Sequence, residues 1–457
     1  MSPGSPTTAA EAASLHRDVY RHDAERRARG CVQPVRLRGQ RNLVDTRTGE
    51  ITTLYDSASE LDGQVYVRCG DRRARVCPSC SREYKGDAWH LLLCGLAGGK
   101  GVPADVAKRP CTFLTLTAPS FGPVHGTRGG GPCRPRRDHP RCPHGRPMWC
   151  HRRHDKHDRS VGEPLCEDCY DYVGHVLWQW HAPELWRRFC IALQRELAKV
   201  VGLRVSDFRK ACRISYSKVV EFQARGVVHF HAPIRLDGPE GPHGPRCDLS
   251  LDTDDLERAI VVAAGRVALE SELLVDGGSR ELKWGAQIDL RSISGAVARN
   301  SDRAARVVHP EQVAAYLAKY LTKTTEDFGL PARVRTPGQA RAGGASPHAV
   351  NLVRAACWLS GQHEAYRRMQ LCLATLAYRG HPITKSRAYS VTFGQLRLAR
   401  KMHRGSRGTA PQEVHPLVAD DAPTGFEVVS SFVYVGRGIP LLMARSRAGP
   451  GVEWDAA

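Results

Sequence analysis

The chain has 457 residues, with 67 Lys and Arg against 47 Asp and Glu and a formal net charge of +20. That length accommodates two or three modules, and that charge predicts attraction to a polyanion, nucleic acid above all, through counterion release. No apolar run reaches the roughly 18 residues of a membrane span, and the N-terminus has no apolar segment of a secretory signal. A cytoplasmic protein without a membrane partner is therefore expected, its sixteen cysteines serving as metal ligands or buried thiols rather than disulfides.

Residues 1–30 read as a disordered tail passing into a charged helix. Residues 31–104 form an N-terminal region with the first cysteine group. There "CGDRRARVCPSC" supplies Cys69, Cys77 and Cys80. The CxxC spacing lets both thiolates of Cys77 and Cys80 reach one ion. Cys31 completes this first zinc site, with Cys94 the alternative. "GLAGGKG" (95–101) lacks the spacing and the hydroxyl of a phosphate loop, so no nucleotide-driven motor is expected in this chain. "CTFLTLTAPS" (111–120) alternates like a strand. The next stretch, about 123–175, is rich in Gly, Pro, Arg and His and too polar for a core. It carries Cys142, Cys150, Cys166 and Cys169, read as a second zinc site, with Cys133, His144 and His151 as spare candidates. Zinc would pin a loop that has few apolar residues to bury. Ten Lys and Arg against three Asp lie between 128 and 159. Arg134, Arg136, Arg137, Arg152 and Arg153 are the candidates there for DNA-backbone contact.

A helix follows over 181–202, with Leu185, Phe189, Leu193 and Leu197 on one stripe. Two strands come next, "ISYSKVVEF" and "GVVHFHAPIRL". Residues i and i+2 of a strand share a face, so His229 and His231 can bind one ion. If Ala224, Arg225 and Gly226 make a three-residue hairpin loop with Gly226 left-handed, Glu221 faces His229. Glu221, His229 and His231 then form an incomplete shell suited to Mg²⁺ or Mn²⁺, with Zn²⁺ a third option. Gln223 is the alternative oxygen ligand. A helix near 253–271, a strand near "KWGAQIDLRSI" and a helix over about 310–323 are expected next. In the last of these, "VAAYLAKYLTKTTE" puts Tyr316 and Tyr320 on one face, one turn apart, with Lys319 and Lys323 each three residues after a tyrosine. A phenol with a pKa of about 10 becomes a competent nucleophile beside a cation. Residues 331–348 read as a linker and 349–405 as a short helical module with a basic cluster that includes Lys385 and Arg387. Residues 406–457 read as a tail with one strand.

The strand "FLTLTAPS", the pair "HFH" within "RGVVHFHAPIRLDG", and the doubled unit "YLAKYLTK" occur in that order over about 112–326, roughly half the chain. Together they resemble the three motifs of the HUH endonucleases. More narrowly, the chain resembles the rolling-circle replication initiators of actinobacterial plasmids, to which the cysteine-rich flanks and "RGHPITKSRAYSVTFG" (379–394) are also similar. The tyrosine pair is similar to that of the gene A class of phage initiators. The resemblance implies an α+β fold over 105–330. Its centre would be a five-stranded antiparallel sheet with the histidines on a central strand and the tyrosine helix lying across it. It also implies metal-dependent nicking and rejoining of single-stranded or cruciform plasmid origin DNA through a 5′-phosphotyrosine. A host helicase would unwind the duplex, and a host polymerase would extend the free 3′-OH. Lys319 or Lys323 would support phosphate charge or proton transfer. Two other readings use the same features: an HUH transposase or relaxase, and a zinc-containing DNA-binding regulator without catalysis.

Overall fold

The computed structural model describes residues 19–127, 129–135, 141–275, 277–293, 307–322, 328–405 and 424–439. In chain order these form α1 (19–27), β1 (Val35–Asp45), β2 (Ile51–Asp56), β3 (Val65–Val67), α2 (Pro78–Ala97) and β4 (Cys111–Leu116). There follow α3 (Tyr172–Val200), α4 (Val205–Ala211), β5 (Arg213–Phe222), β6 (Val228–Asp237) and α5 (Thr253–Arg266). Then come β7 (Ala268–Glu270), β8 (Glu281–Lys283), β9 (Ile288–Ile293), β10 (Val307–Val308) and α6 (Pro310–Tyr320). The last are α7 (Pro337–Ala342), α8 (Pro347–Leu359), β11 (Ile383–Lys385), α9 (Phe393–Gly405) and β12 (Phe426–Arg437). The fold is α+β. Where composition suggests a series of segments, contacts divide the chain into two units, 1–84 with 397–457, and 85–396.

In the first unit β1 pairs antiparallel with β12, β2 and β3. The strand expected in the C-terminal tail is therefore a partner of the first strand of the chain. Ala24 and Ala28 pack with Tyr66 around Cys31, Cys77 and Cys80, so the end of the expected tail covers a cysteine group. Residues 1–18 lie outside the described residues.

The second unit is built on a sheet of order β10-β9-β4-β6-β5-β11. Five antiparallel strands were expected; the described residues make six, because the two-residue β10 joins β9 in parallel. Alternation gives the sheet two different faces. On one, Leu114, Leu116, Val220 and Phe230 are buried in the main core with residues of α3 and α5. Helix α3 begins nine residues before the apolar stripe predicts. Asp171 caps it, accepting from the Gly174 amide at 2.8 Å. Val176, Leu177, Trp178 and Trp180 then extend the buried stripe of Leu185, Phe189, Leu193 and Leu197. The segment 331–348 corrects the linker reading. Val334 and Ala340 are buried in the same core, and the exposed Thr336 caps α7 between them. Its Gly, Pro and Arg shape turns over a packed surface instead of freeing the chain.

Candidate active site

The second face of the sheet carries the polar residues. The β5–β6 hairpin closes on Gly226, at φ +81°. The Gly226 amide donates to the Gln223 carbonyl at 2.8 Å and the Gln223 amide to the Val227 carbonyl at 2.9 Å. From this turn the register runs Glu221 opposite His229 and Val219 opposite His231. Gln179, buried on α3, braces the turn: its Nε2 donates to the Gly226 carbonyl at 2.9 Å, and its Oε1 accepts from the Val228 amide at 3.0 Å. His231 is held at both ring nitrogens. Nε2 lies 2.7 Å from Glu221 Oε2, and Nδ1 lies 3.0 Å from the hydroxyl of Thr115, its partner across β4 and β6. Gln223 is engaged in the turn, its Oε1 accepting from Arg225 Nε at 3.1 Å.

Helix α6 starts at Pro310, whose missing N–H costs nothing at that position, and it brings both tyrosines over this face. The Tyr316 and Tyr320 rings are 4.7 Å apart, centroid to centroid. The His231 ring lies 5.4 Å from Tyr316 and 6.1 Å from Tyr320. Phe113 stacks on His231 at 5.9 Å and meets Tyr316 edge-on at 6.0 Å. His231 thus lies beside both tyrosines, although some 85 positions separate them in the sequence. Burial raises the Tyr316 phenol well above its ordinary pKa, helped by its hydrogen bond with Tyr320 and the Glu221 charge; burial also raises Tyr320. Both phenols are therefore protonated at neutral pH. Burial, with His231 and Arg225 nearby, pushes His229 down to about 3. Its imidazole is neutral, the form that ligates metals, and its buried Nε2 makes no hydrogen bond. Two imidazoles and a carboxylate on one face suit a divalent cation. Their donor atoms are less tightly gathered than those of the cysteine groups below, which lie within 4.8 Å of one another. Lys319 is exposed on α6; Lys323 lies outside the described residues.

The family profile described as "Replication initiator protein, pSAM2" (RepSA) matches residues 17–445. This chain belongs to the RepSA family of replication initiators. A replication initiator protein of Streptomyces ambofaciens is 37% identical to it over 423 residues, 91% of this chain and 86% of that one. No solved structure matches. Among the described residues of this RepSA chain, no helix is long and apolar enough to cross a membrane.

Among the described residues, nine of the initiator's sixteen cysteines fall into three groups, two of them with histidines, where two zinc sites were expected. Cys31, Cys69, Cys77 and Cys80 lie together; Cys94 is buried and is not a member of that group. Cys142, Cys166 and Cys169 lie together, but their fourth partner is His144 and not Cys150. Cys150 stands with His125, Cys133 and His154. The sequence offered Cys133 and His144 only as spares and missed His125 and His154. The missing signal was an order of ligands that alternates between groups. His151, the third spare, is exposed. Of the basic candidates, Arg134, Arg152, Arg153 and Arg387 are exposed, while Arg136 and Arg137 lie outside the described residues. Lys385 is half-buried, and its ammonium donates to the carbonyls of Arg387 at 3.1 Å and Ser390 at 2.9 Å. Those bonds tie it to its own loop.

Proposed function

We propose that this initiator starts rolling-circle plasmid replication by nicking one strand of origin DNA and later rejoining it, with Tyr316 and Tyr320 as nucleophiles. The observation that carries the reading is the convergence of the tyrosine pair on His231, with Glu221 and Thr115 bonded to that imidazole. Glu221, His229 and His231 are the residues that would hold Mg²⁺ or Mn²⁺, and the ion would draw charge from the scissile phosphate. One phenol oxygen attacks the phosphorus, and the bond from phosphorus to the 3′ oxygen breaks. The phenol proton leaves toward the carboxylate of Glu221 and is returned to the departing 3′ oxygen. The protein retains a 5′-phosphotyrosine, and the free 3′-OH primes synthesis by a host polymerase behind a host helicase. After one round the second tyrosine cleaves the regenerated site, and the released 3′-OH attacks the first phosphotyrosine to close the circle. Two phenols one helical turn apart can alternate over one phosphate without rearranging the helix. Lys319 and Lys323, each three residues after a tyrosine in the sequence, would balance phosphate charge.

In the same reading, the group of Cys31, Cys69, Cys77 and Cys80 and the group of Cys142, His144, Cys166 and Cys169 hold structural zinc. Arg134, Arg136, Arg137, Arg152, Arg153 and Arg387 contact the origin backbone, and the initiator works in the cytoplasm. Incubation with single-stranded origin DNA and Mn²⁺ is expected to give a covalent adduct on a denaturing gel. Changing Tyr316→Phe and Tyr320→Phe together should abolish the adduct and leave binding within about twofold, since neither change alters charge. An adduct that survives the double change would place the nucleophile elsewhere. Binding without any adduct in the unmutated chain would leave a non-catalytic DNA-binding protein.

A further inference from the structure

In the insertion between β4 and α3, eight Cys and His side chains fall into two groups that could hold a metal, in the order His125, Cys133, Cys142, His144, Cys150, His154, Cys166, Cys169. The structure sorts them by alternate pairs. The first and third pairs form one group, and the second and fourth form the other. We propose that this insertion is a two-zinc, cross-braced module, and that His125, Cys133, Cys150 and His154 are a third zinc site of the chain. The inference does not depend on the nicking reaction.

The distances match a tetrahedral ion. Zn–S bonds of about 2.3 Å and Zn–N bonds of about 2.0 Å give donor–donor edges of roughly 3.3–3.8 Å. Cys133 Sγ lies 3.7 Å from His125 Nδ1, and Cys150 Sγ lies 3.4 Å from His154 Nε2. The sister group has the same edges, with His144 Nδ1 at 3.2 Å from Cys169 Sγ and 3.7 Å from Cys166 Sγ. The surroundings are those of a ligand site. His154 Nδ1 lies 2.6 Å from Asp158 Oδ2 and 3.1 Å from Ser160 Oγ. This fixes the ring and leaves Nε2 facing the thiol, the carboxylate–histidine arrangement that raises ligand basicity. The Gly126 amide donates to Cys133 Sγ at 3.2 Å, which supports a thiolate. Cys133, Cys150 and His154 are all buried in a segment with few apolar residues to bury them.

The site also has a mechanical task. The Arg134 amide donates to the Cys150 carbonyl at 2.8 Å, the Cys150 amide to the Arg134 carbonyl at 2.7 Å, and the Cys133 amide to the Arg152 carbonyl at 2.9 Å. The two ligand pairs are thus the two arms of a short ribbon that displays Arg134, Arg152 and Arg153 to solvent. Because the pairs alternate, the loop closed by one ion contains half the ligands of the other. Losing either ion loosens both.

Zinc in the purified full-length chain, measured by mass spectrometry of the metal, should come to three equivalents. His154→Ala should lose more than one equivalent under a chelator challenge, whereas Cys69→Ser should lose only its own. Where a variant fails to fold, the unmutated chain still decides. Cobalt exchanged into it should give bands of a two-thiolate, two-imidazole site beside those of the thiolate-rich ones, and Cys133 and Cys150 should become alkylated only after chelation. Two equivalents in the unmutated chain, or three retained by His154→Ala, would overturn the third site. Loss of one equivalent alone, with the sister ion held as before, would overturn the cross-brace.

Discussion

Thr115 shows how much can rest on one hydroxyl. It is the only partner of His231 Nδ1 among the described hydrogen bonds, at 3.0 Å, and it decides how the opposite nitrogen faces Glu221. Groups that orient a ligand in this way contribute about 10–100-fold in metal affinity or activity. Thr115→Val keeps the shape and removes the bond. It should raise the Mn²⁺ concentration needed for half-maximal adduct formation by about that factor, with an unchanged melting curve. A second residue-scale expectation concerns acid. Burial pushes His348 and His181 each down to about 4, below the usual value of about 6.5. The unfolded chain therefore binds these protons first. Their contribution to stability is complete above about pH 6.5 and is lost as the pH falls toward 4. It amounts to up to about 3 kcal/mol for each group. Chemical denaturation of His348→Gln beside the unmutated chain should show a flatter decline over that window. The difference between the two isolates the imidazole from acid loss of metal.

At the scale of elements, the hairpin of β5 and β6 depends on Gly226. A Cβ there would meet Leu376 Cδ1 at 2.7 Å and Leu352 Cδ1 at 3.2 Å, at a φ of +81°. The left-handed backbone alone costs a non-glycine residue roughly 1–2 kcal/mol. Gly226→Ala should therefore lower stability by about 1–3 kcal/mol in urea unfolding, crowding included. It should also weaken the Mn²⁺ response, because Glu221 and His229 hang from that turn. This hairpin was legible from residues alone. Turn chemistry sets the register, a period of two puts His229 and His231 on one face, and a period near 3.6 pairs Tyr316 with Tyr320. All three rules act over a few residues. What escaped are pairings made across space. Cys150 joins His125 and Cys133, 25 and 17 positions upstream, rather than Cys142, and no local spacing announces that grouping. Val334 is buried because a core happens to lie beneath a stretch whose composition looks like a linker. The early start of α3 turns on a single cap at Asp171.

For the whole molecule, the charge of +20 makes origin binding strongly dependent on salt, since each neutralised phosphate contributes about −0.9 to the slope of log K against log salt. Replacing Arg134, Arg152 and Arg153 together with alanine should reduce that slope by up to about three, one for each phosphate contact. Gel shifts over a series of KCl concentrations would show it, and an unchanged slope would move the backbone contacts elsewhere. The pairing of β1 with β12 has a consequence in time. Asp45 pairs with Phe426, so β1 must wait while roughly 380 residues are made, about 20–80 s at ordinary rates of translation. All of 85–396, tyrosines included, is synthesised in that interval. A chain cut short by a stop codon between 397 and 425 would leave the ribosome carrying Tyr316 and Tyr320 but with β1 lacking its longest neighbour.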